Sequence, residues 1–225
     1  MNLNKSRDFF NPADVTSRIH IIGCGSVGST LAENLARCGI TKMTLWDFDE
    51  VESKNIVNQM FREADVGKPK VEALAEILTE INPEIGADLK LEPKGWGGKL
   101  LSGYIFLCVD NIELRRQFVE QHKNSPVVKA IFDFRTGLTS AQHYAADWSK
   151  QAMKEALLNS MQFSHEEAAA ETPVSACGIT LGVAPTVRII VGMGVMNFIE
   201  FIRTGKLQKL IVWGQEQSKQ YMDAF

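Results

Sequence analysis

At 225 residues, with 45% apolar and 23% charged side chains, the chain is long enough to bury one continuous core without disulfides or a structural metal. Its 24 basic residues against 27 acidic ones leave a net charge of -3, which argues against nucleic-acid backbone as the main partner. The apolar run from Ile189 to Ile199 falls short of the ~20 residues that span a bilayer, and the first twenty residues carry no apolar signal core, so a cytoplasmic, membrane-free setting is expected.

In chain order, residues 1–17 are polar, with Phe9, Phe10 and Pro12 as anchors, and are expected to form an arm ahead of a single domain over 18–225. The β-branched run Ile19-His20-Ile21-Ile22 predicts a strand, a glycine turn follows, and Leu31, Leu35 and Ala36 recur at helical spacing up to Gly39. Met43 to Trp46 predicts the second strand of a βαβ unit. Lys70 to Ile81 places Val71, Leu74, Ile77, Leu78 and Ile81 on one helical face, and Asn82-Pro83 stops that helix. A weak strand is expected over 86–93, then a continuous apolar strand over 104–109, a helix over 113–122 and a strand over 127–131. One or two further strands fall in 132–145, partial helix in 148–173, an apolar helix in 186–202 and a last strand in 209–213. The fold class is therefore α/β and Rossmann-like, a mostly parallel sheet with helices on both faces. Cys24, Cys38, Cys108 and Cys177 form no C-x-x-C pair, so neither a zinc knuckle nor a disulfide framework is expected.

Gly23, Gly25 and Gly28 fit G-x-G-x-x-G between a strand and a helix. The first glycine permits the turn, the second lets a phosphate approach the backbone, and the third lets helix pack on strand. The unpaired amides from Ser26 onward, with the helix dipole, favour an anion. Asp47 ends the second strand, where a carboxylate accepts from ribose hydroxyls. These features alone leave NAD, FAD, S-adenosylmethionine and ATP open.

Downstream, Asp47-Phe48-Asp49 is followed by Lys54-Asn55, Asn58-Gln59, Gly67-Lys68-Pro69-Lys70 and Asp110-Asn111 with Arg115. In order and spacing this set, over roughly residues 19–135, resembles the ThiF/MoeB/HesA family, whose fold is shared with ubiquitin-activating enzymes. The resemblance implies ATP-dependent adenylylation of the C-terminal carboxylate of a small ubiquitin-like or sulfur-carrier protein ending in Gly-Gly, with release of pyrophosphate, by a homodimer. It further implies that Lys70 reaches the phosphates, that Asp110 holds Mg²⁺, and that Asn55 meets ribose or phosphate oxygens. Asp49 would orient the loop or help hold metal, and Gly23, Gly25, Ser26, Gly28, Asp47, Lys54, Asn58 and Asn111 complete the nucleotide-contacting set. A crossover over about 136–185 would face the substrate, and Cys177 within it is a candidate acyl acceptor by thioester, or else a buried cysteine.

Two departures stand out. The family's phosphate-binding arginine falls at Asn58, which carries no charge; Arg62, one turn on, is the expected substitute, with Arg7 and Arg18 as the arginines of the amino-terminal region. The paired C-x-x-C zinc motif of many members is absent. The competing readings are a non-catalytic nucleotide-binding scaffold of this fold, favoured by Asn58, and an NAD-dependent oxidoreductase, which lacks an evident catalytic His or Tyr-Lys site.

Overall fold

The computed structural model describes residues 1–164, 166, 167, 174 and 181–215. Apolar β-branched runs pair as adjacent strands. β1 (Ile19–Ile22) lies between β2 (Met43–Trp46) and β4 (Gly103–Leu107), with every one of these positions buried. β3 (Lys90–Glu92), β5 (Val128–Thr136), β6 (Ser140–Asp147) and β7 (Leu210–Gly214) complete a seven-stranded sheet in the order β3-β2-β1-β4-β5-β6-β7. Pairing is parallel from β3 to β5 and antiparallel for β6 and β7.

Three amphipathic helices, α1 (Ser26–Arg37), α2 (Lys70–Ile81) and α5 (Ala184–Thr204), share a core with Ile21, Leu45 and Phe106 on one face of the sheet. On the other face, α3 (Ile112–His122) and α4 (Gln151–Asn159) pack on Ile22, Ile105 and Leu107. The weak strand expected over 86–93 is shorter, because Asn82 caps a 3-10 turn over Pro83–Ala87 that takes its first two residues. The region 132–145 holds the end of β5 and, as one further strand, most of β6, so residues 140–147 of the expected crossover belong to the sheet. α5 has 21 residues and is apolar and long enough to cross a membrane by length and composition, yet half of its most apolar stretch is buried against the sheet.

The amino-terminal residues close the end of the sheet opposite the glycine turn, where the central strands begin. Phe10 and Val15 join the core, and Leu3 packs where Gly39 leaves no side chain. Arg18 donates to the carbonyl oxygens of Met43 (2.7 Å) and Asp88 (2.9 Å), tying the starts of β1 and β2 to the 3-10 turn. Trp148 is buried and donates to the His122 carbonyl, so it belongs to the core.

Candidate nucleotide-binding site at the switch in strand order

Chain order reverses between β1 and β4: β1 leads outward to β2 and β3, and β4 leads the other way to β5. In open α/β sheets ligands bind beyond the carboxyl ends of strands at such a point. Here the two segments facing that crevice are the turn after β1 and Asp110-Asn111 after β4.

Each glycine of the turn has its own physical reason. Gly23 adopts φ +92, and a side chain there would press on Val109 and the Cys108 backbone. A Cβ at Gly28 would overlap the Gly23 carbonyl oxygen, so α1 can sit this close to β1 only without one. Around Gly25 there is open space: a Cβ would meet nothing within 4 Å, and no side chain caps the helix that starts at Ser26. The first amides of α1 thus have no side-chain partner and open space beside them, the arrangement that suits a phosphate.

Asp47 is bound from both sides of this cradle. Its Oδ2 accepts from the Cys24 amide at 2.6 Å and its Oδ1 from the Asp49 amide at 2.8 Å. Burial pushes its carboxyl above the usual carboxylate range, and these two amides pull it back. Asp47 therefore clamps the glycine turn to the end of β2.

Lys70 arrives through a short antiparallel bridge, Glu50 to Pro69, reinforced by the Val51 amide on the Lys68 carbonyl and the Gly67 amide on the Val51 carbonyl. Its own amide donates to the Asp49 carbonyl at 2.9 Å, and its ammonium lies 2.8 Å from Asp49 Oδ2. The side chain is buried, unlike the solvated lysine that a first-turn position also permits.

Across the crevice, Asn111 caps α3 by accepting from the Leu114 amide at 2.9 Å. That leaves the neighbouring Asp110 exposed, with no hydrogen bond or ion pair among the described residues. Mg²⁺ is commonly held by one or two carboxylates plus phosphate oxygens and water. No cluster of three or more His, Cys, Asp or Glu exists among the described residues, so Asp110 fits that sparse mode and not an all-protein cage.

The remaining expected residues lie differently. Asn55 is buried, and its Oδ1 accepts from the Glu52 amide within a 3-10 turn, so its carbonyl is committed to the loop. Lys54 points outward and pairs with Glu52 at 2.9 Å. Asn58 abuts Gly182, where an added Cβ would come within 2.9 Å of its amide nitrogen. Arg62, the expected substitute cation, is engaged away from the glycine turn. Its guanidinium is shared between Asp65 (3.0 Å) and Glu80 (3.1 Å), and Glu80 stands ten residues along α2 from Lys70, roughly 15 Å at the helical rise. These carboxylates hold it above its ordinary pKa. Arg18 is likewise spent at the far end. Cys177 lies outside the described residues. Cys24 and Cys108 are buried thiols pushed up by desolvation, unlike an activated nucleophile.

Two residues that support the site escape a motif search. Asp133, wholly buried near the end of β5, receives Arg115 from α3 and Arg135 at 2.7 Å; Arg115 also donates to the Val109 carbonyl beside Asp110. A lone carboxylate inside Ile131-Phe132-Asp133-Phe134 was the available signal, since buried charges are seldom unpaired. Ser29 Oγ accepts from the Met60 amide at 3.2 Å and ties the 53–60 segment to α1.

Fold and crevice together define a Rossmann-like nucleotide-binding domain whose switch point carries a glycine turn, a held lysine and a free aspartate. The ThiF family model matches residues 15–222, and the chain belongs to that family. Among curated relatives, it is 35% identical over 124 residues to ubiquitin-like modifier-activating enzyme 5 of Caenorhabditis briggsae, covering 48% of this chain and 28% of that protein. It is 37% identical over 112 residues to the enzyme of the same name from Bombyx mori, covering 43% and 28%. The matches thus span little more than a quarter of those relatives' length. Among solved structures, E. coli MccB with ATP superposes with a TM-score of 0.73 at 18% identity, covering 91% of this chain and 63% of that one. PaaA superposes with a TM-score of 0.64 at 19% identity, covering 91% and 63%. At such identities the likeness speaks for the fold.

Proposed function

We propose that this ThiF-family chain is an adenylyltransferase that binds ATP and activates the C-terminal carboxylate of a small protein or peptide, with a ubiquitin-like or sulfur-carrier protein ending in Gly-Gly as the finer form. The observation that carries the reading is the pairing of an open, uncapped cradle at Gly25 with a buried lysine at the same crevice. In support, the relatives are named as activating enzymes of a ubiquitin-like modifier, and one fold neighbour was solved with ATP and others with the MccA peptide.

The chemistry asks for little acid–base work. A carboxylate oxygen of the acceptor attacks the α-phosphorus, the bond to the β-phosphate oxygen breaks, and pyrophosphate leaves. Both reactants are anions, so the barrier is positioning and charge neutralisation. In this reading the amides of α1 receive phosphate oxygens, Asp47 receives the ribose hydroxyls, and Lys70 moves from Asp49 to the phosphates. Asp110 is the residue that would hold Mg²⁺, which when bound neutralises phosphate charge. A cytoplasmic setting and a homodimer belong to the same reading.

A second reading, a nucleotide-binding scaffold without turnover, draws on Asn58 in the place of an arginine and on Arg62 being committed elsewhere. ATP–pyrophosphate exchange with candidate Gly-Gly proteins separates the two. Exchange that depends on both acceptor and Lys70 supports catalysis. Stabilisation by Mg-ATP without exchange supports the scaffold, and stabilisation by NAD but not ATP would remove both.

A further inference from the structure

The Asp110 carboxylate is exposed and has no hydrogen bond or ion pair among the described residues, so the backbone that carries it sets its position. That backbone is tied down on both sides. The Cys108 amide donates to the Ile22 carbonyl at 2.8 Å, joining the segment to the end of β1. Asn111, the residue after Asp110, caps α3, and its carbonyl accepts from the Arg115 amide at 3.3 Å. On the residue before Asp110 the tie is a side chain: Arg115 Nη2 donates to the Val109 carbonyl. Val109 and Asn111 are thus both held from α3, with Asp110 between them.

Arg115 is in turn aimed by β5. Its Nη1 donates to Asp133 Oδ1 and to the Phe134 carbonyl, the latter at 2.6 Å, and its side chain is 6% exposed. The nitrogens of a guanidinium form a rigid planar fork, so fixing one of them on β5 directs the other at Val109. The second oxygen of Asp133 accepts from Arg135 Nε at 2.7 Å. Arg135, however, turns to the end of α4 and donates to the Ser160 carbonyl (2.7 Å) and hydroxyl (2.9 Å). One buried carboxylate therefore orients two arginines with separate targets: Arg115 holds the segment that bears Asp110, and Arg135 holds α4.

We propose that Arg115, oriented by Asp133, is a positioning residue for Asp110, fixing the end of β4 so that the carboxylate is presented to a divalent cation on the bound nucleotide. This role rests on the metal-holding part of the proposed function and extends it to side chains behind the crevice. Mg²⁺ demands near-ideal octahedral geometry at about 2.0–2.1 Å from oxygen, and a carboxylate on a loose segment must be ordered before it can meet that demand. Groups that orient a metal ligand typically carry about 10–100-fold of the metal affinity.

Calorimetric titration of the full chain with ATP, once in Mg²⁺ and once in EDTA, tests this. The ratio of the two affinities is the metal contribution, and Mn²⁺ paramagnetic resonance of the ATP complex reads the bound ion directly. Arg115→Lys keeps the charge beside Asp133, but one ammonium cannot reproduce the fork. Its metal contribution is expected to fall about 10–100-fold, close to that of Asp110→Ala, with affinity in EDTA little changed. The double variant Asp110→Ala/Arg115→Lys should lose no more than Asp110→Ala alone, because the arginine acts through Asp110. Arg135→Ala takes the other guanidinium from the same carboxylate, so it should lower the urea midpoint and keep the metal contribution. Should circular dichroism show Arg115→Lys unfolded, Asp133→Asn, of the same shape, carries the same expectation. A metal contribution kept in Arg115→Lys and lost in Asp110→Ala would overturn the positioning role and leave Asp110 as the metal carboxylate. Equal losses in Arg115→Lys and Arg135→Ala would also overturn it, reducing Arg115 to general support of the fold. A contribution unchanged in Asp110→Ala, or absent from wild type, would remove Asp110 from metal binding and the role of Arg115 with it.

Discussion

The Lys70 ammonium lies 2.8 Å from Asp49 Oδ2, and the Lys70 amide donates to the Asp49 carbonyl at 2.9 Å. The same residue thus fixes both ends of the lysine. Backbone pairing places the start of α2, and the carboxylate parks the charge beside the glycine turn. Asp49 is half-exposed while Lys70 is buried, so solvent competes for the carboxylate and weakens its hold on the lysine.

Lys70→Ala is expected to lower pyrophosphate exchange by about 10²–10³-fold, the loss typical of removing one pre-organised charge from a transition state. Asp49→Asn is expected to be milder in exchange rate and to leave Mg-ATP binding measurable by calorimetry. Equal rates for Lys70→Ala and wild type would take this lysine out of the mechanism.

The glycines should separate by readout. Gly28→Ala forces a methyl group into the Gly23 carbonyl and is expected to destabilise the fold by about 1–3 kcal/mol or more, seen as a lower melting temperature. Gly25→Ala has open space but a backbone at φ -73 and ψ -146, outside the regions that residues with a Cβ favour, so its melting temperature should fall less than that of Gly28→Ala while Mg-ATP affinity falls. The reverse pattern would mean that the cradle is not where phosphate sits.

Arg62→Ala is expected to leave exchange within about twofold of wild type, because its guanidinium is engaged with Asp65 and Glu80 on the flank of α2. A large loss of exchange with unchanged ATP affinity would show that the arginine leaves those partners during turnover.

Removing Asp133 strands Arg115 and Arg135 without their shared carboxylate in the core. Asp133→Ala is expected to cost about 3–5 kcal/mol in chemical denaturation, well above an exposed ion pair. A cost below about 1 kcal/mol would contradict the burial of this cluster.

Acid stability follows from two histidines. Burial, with Arg18 next, holds His20 down to about 4 from 6.5, and burial likewise holds His143 to about 4 against the opposing pull of Asp133. Folded values below the unfolded value mean that, between about pH 6.5 and 4, the unfolded chain binds more protons. Stability should therefore be intact above about 6.5 and fall as the pH drops toward 4. Denaturation midpoints across that window measure the slope, and His143→Gln should flatten it; a slope of the opposite sign would refute the assignment.

Elements whose signal is local could be read along the chain. Strand β1, the turn at Gly23, helix α1 and Asp47 follow one another along the chain, so period, turn chemistry and spacing sufficed to read them. α2 was legible for the same reason, through its apolar face and the Asn82-Pro83 stop. Membership of the ThiF family was legible too, because its motifs keep their order along the chain.

Which polar groups are free, by contrast, is settled by folding. Asn58, Arg62 and Lys54 are equally polar in the sequence, yet one abuts Gly182, one is locked to Asp65 and Glu80, and one pairs with Glu52. Whether a cation is available depends on carboxylates that approach from other elements, as Glu80 does from α2. The division of 132–147 into two strands, and the burial of Asp133 between two arginines, depend equally on partners distant in sequence. Propensity and spacing are properties of a segment, whereas electrostatic availability belongs to the neighbours that folding brings to it.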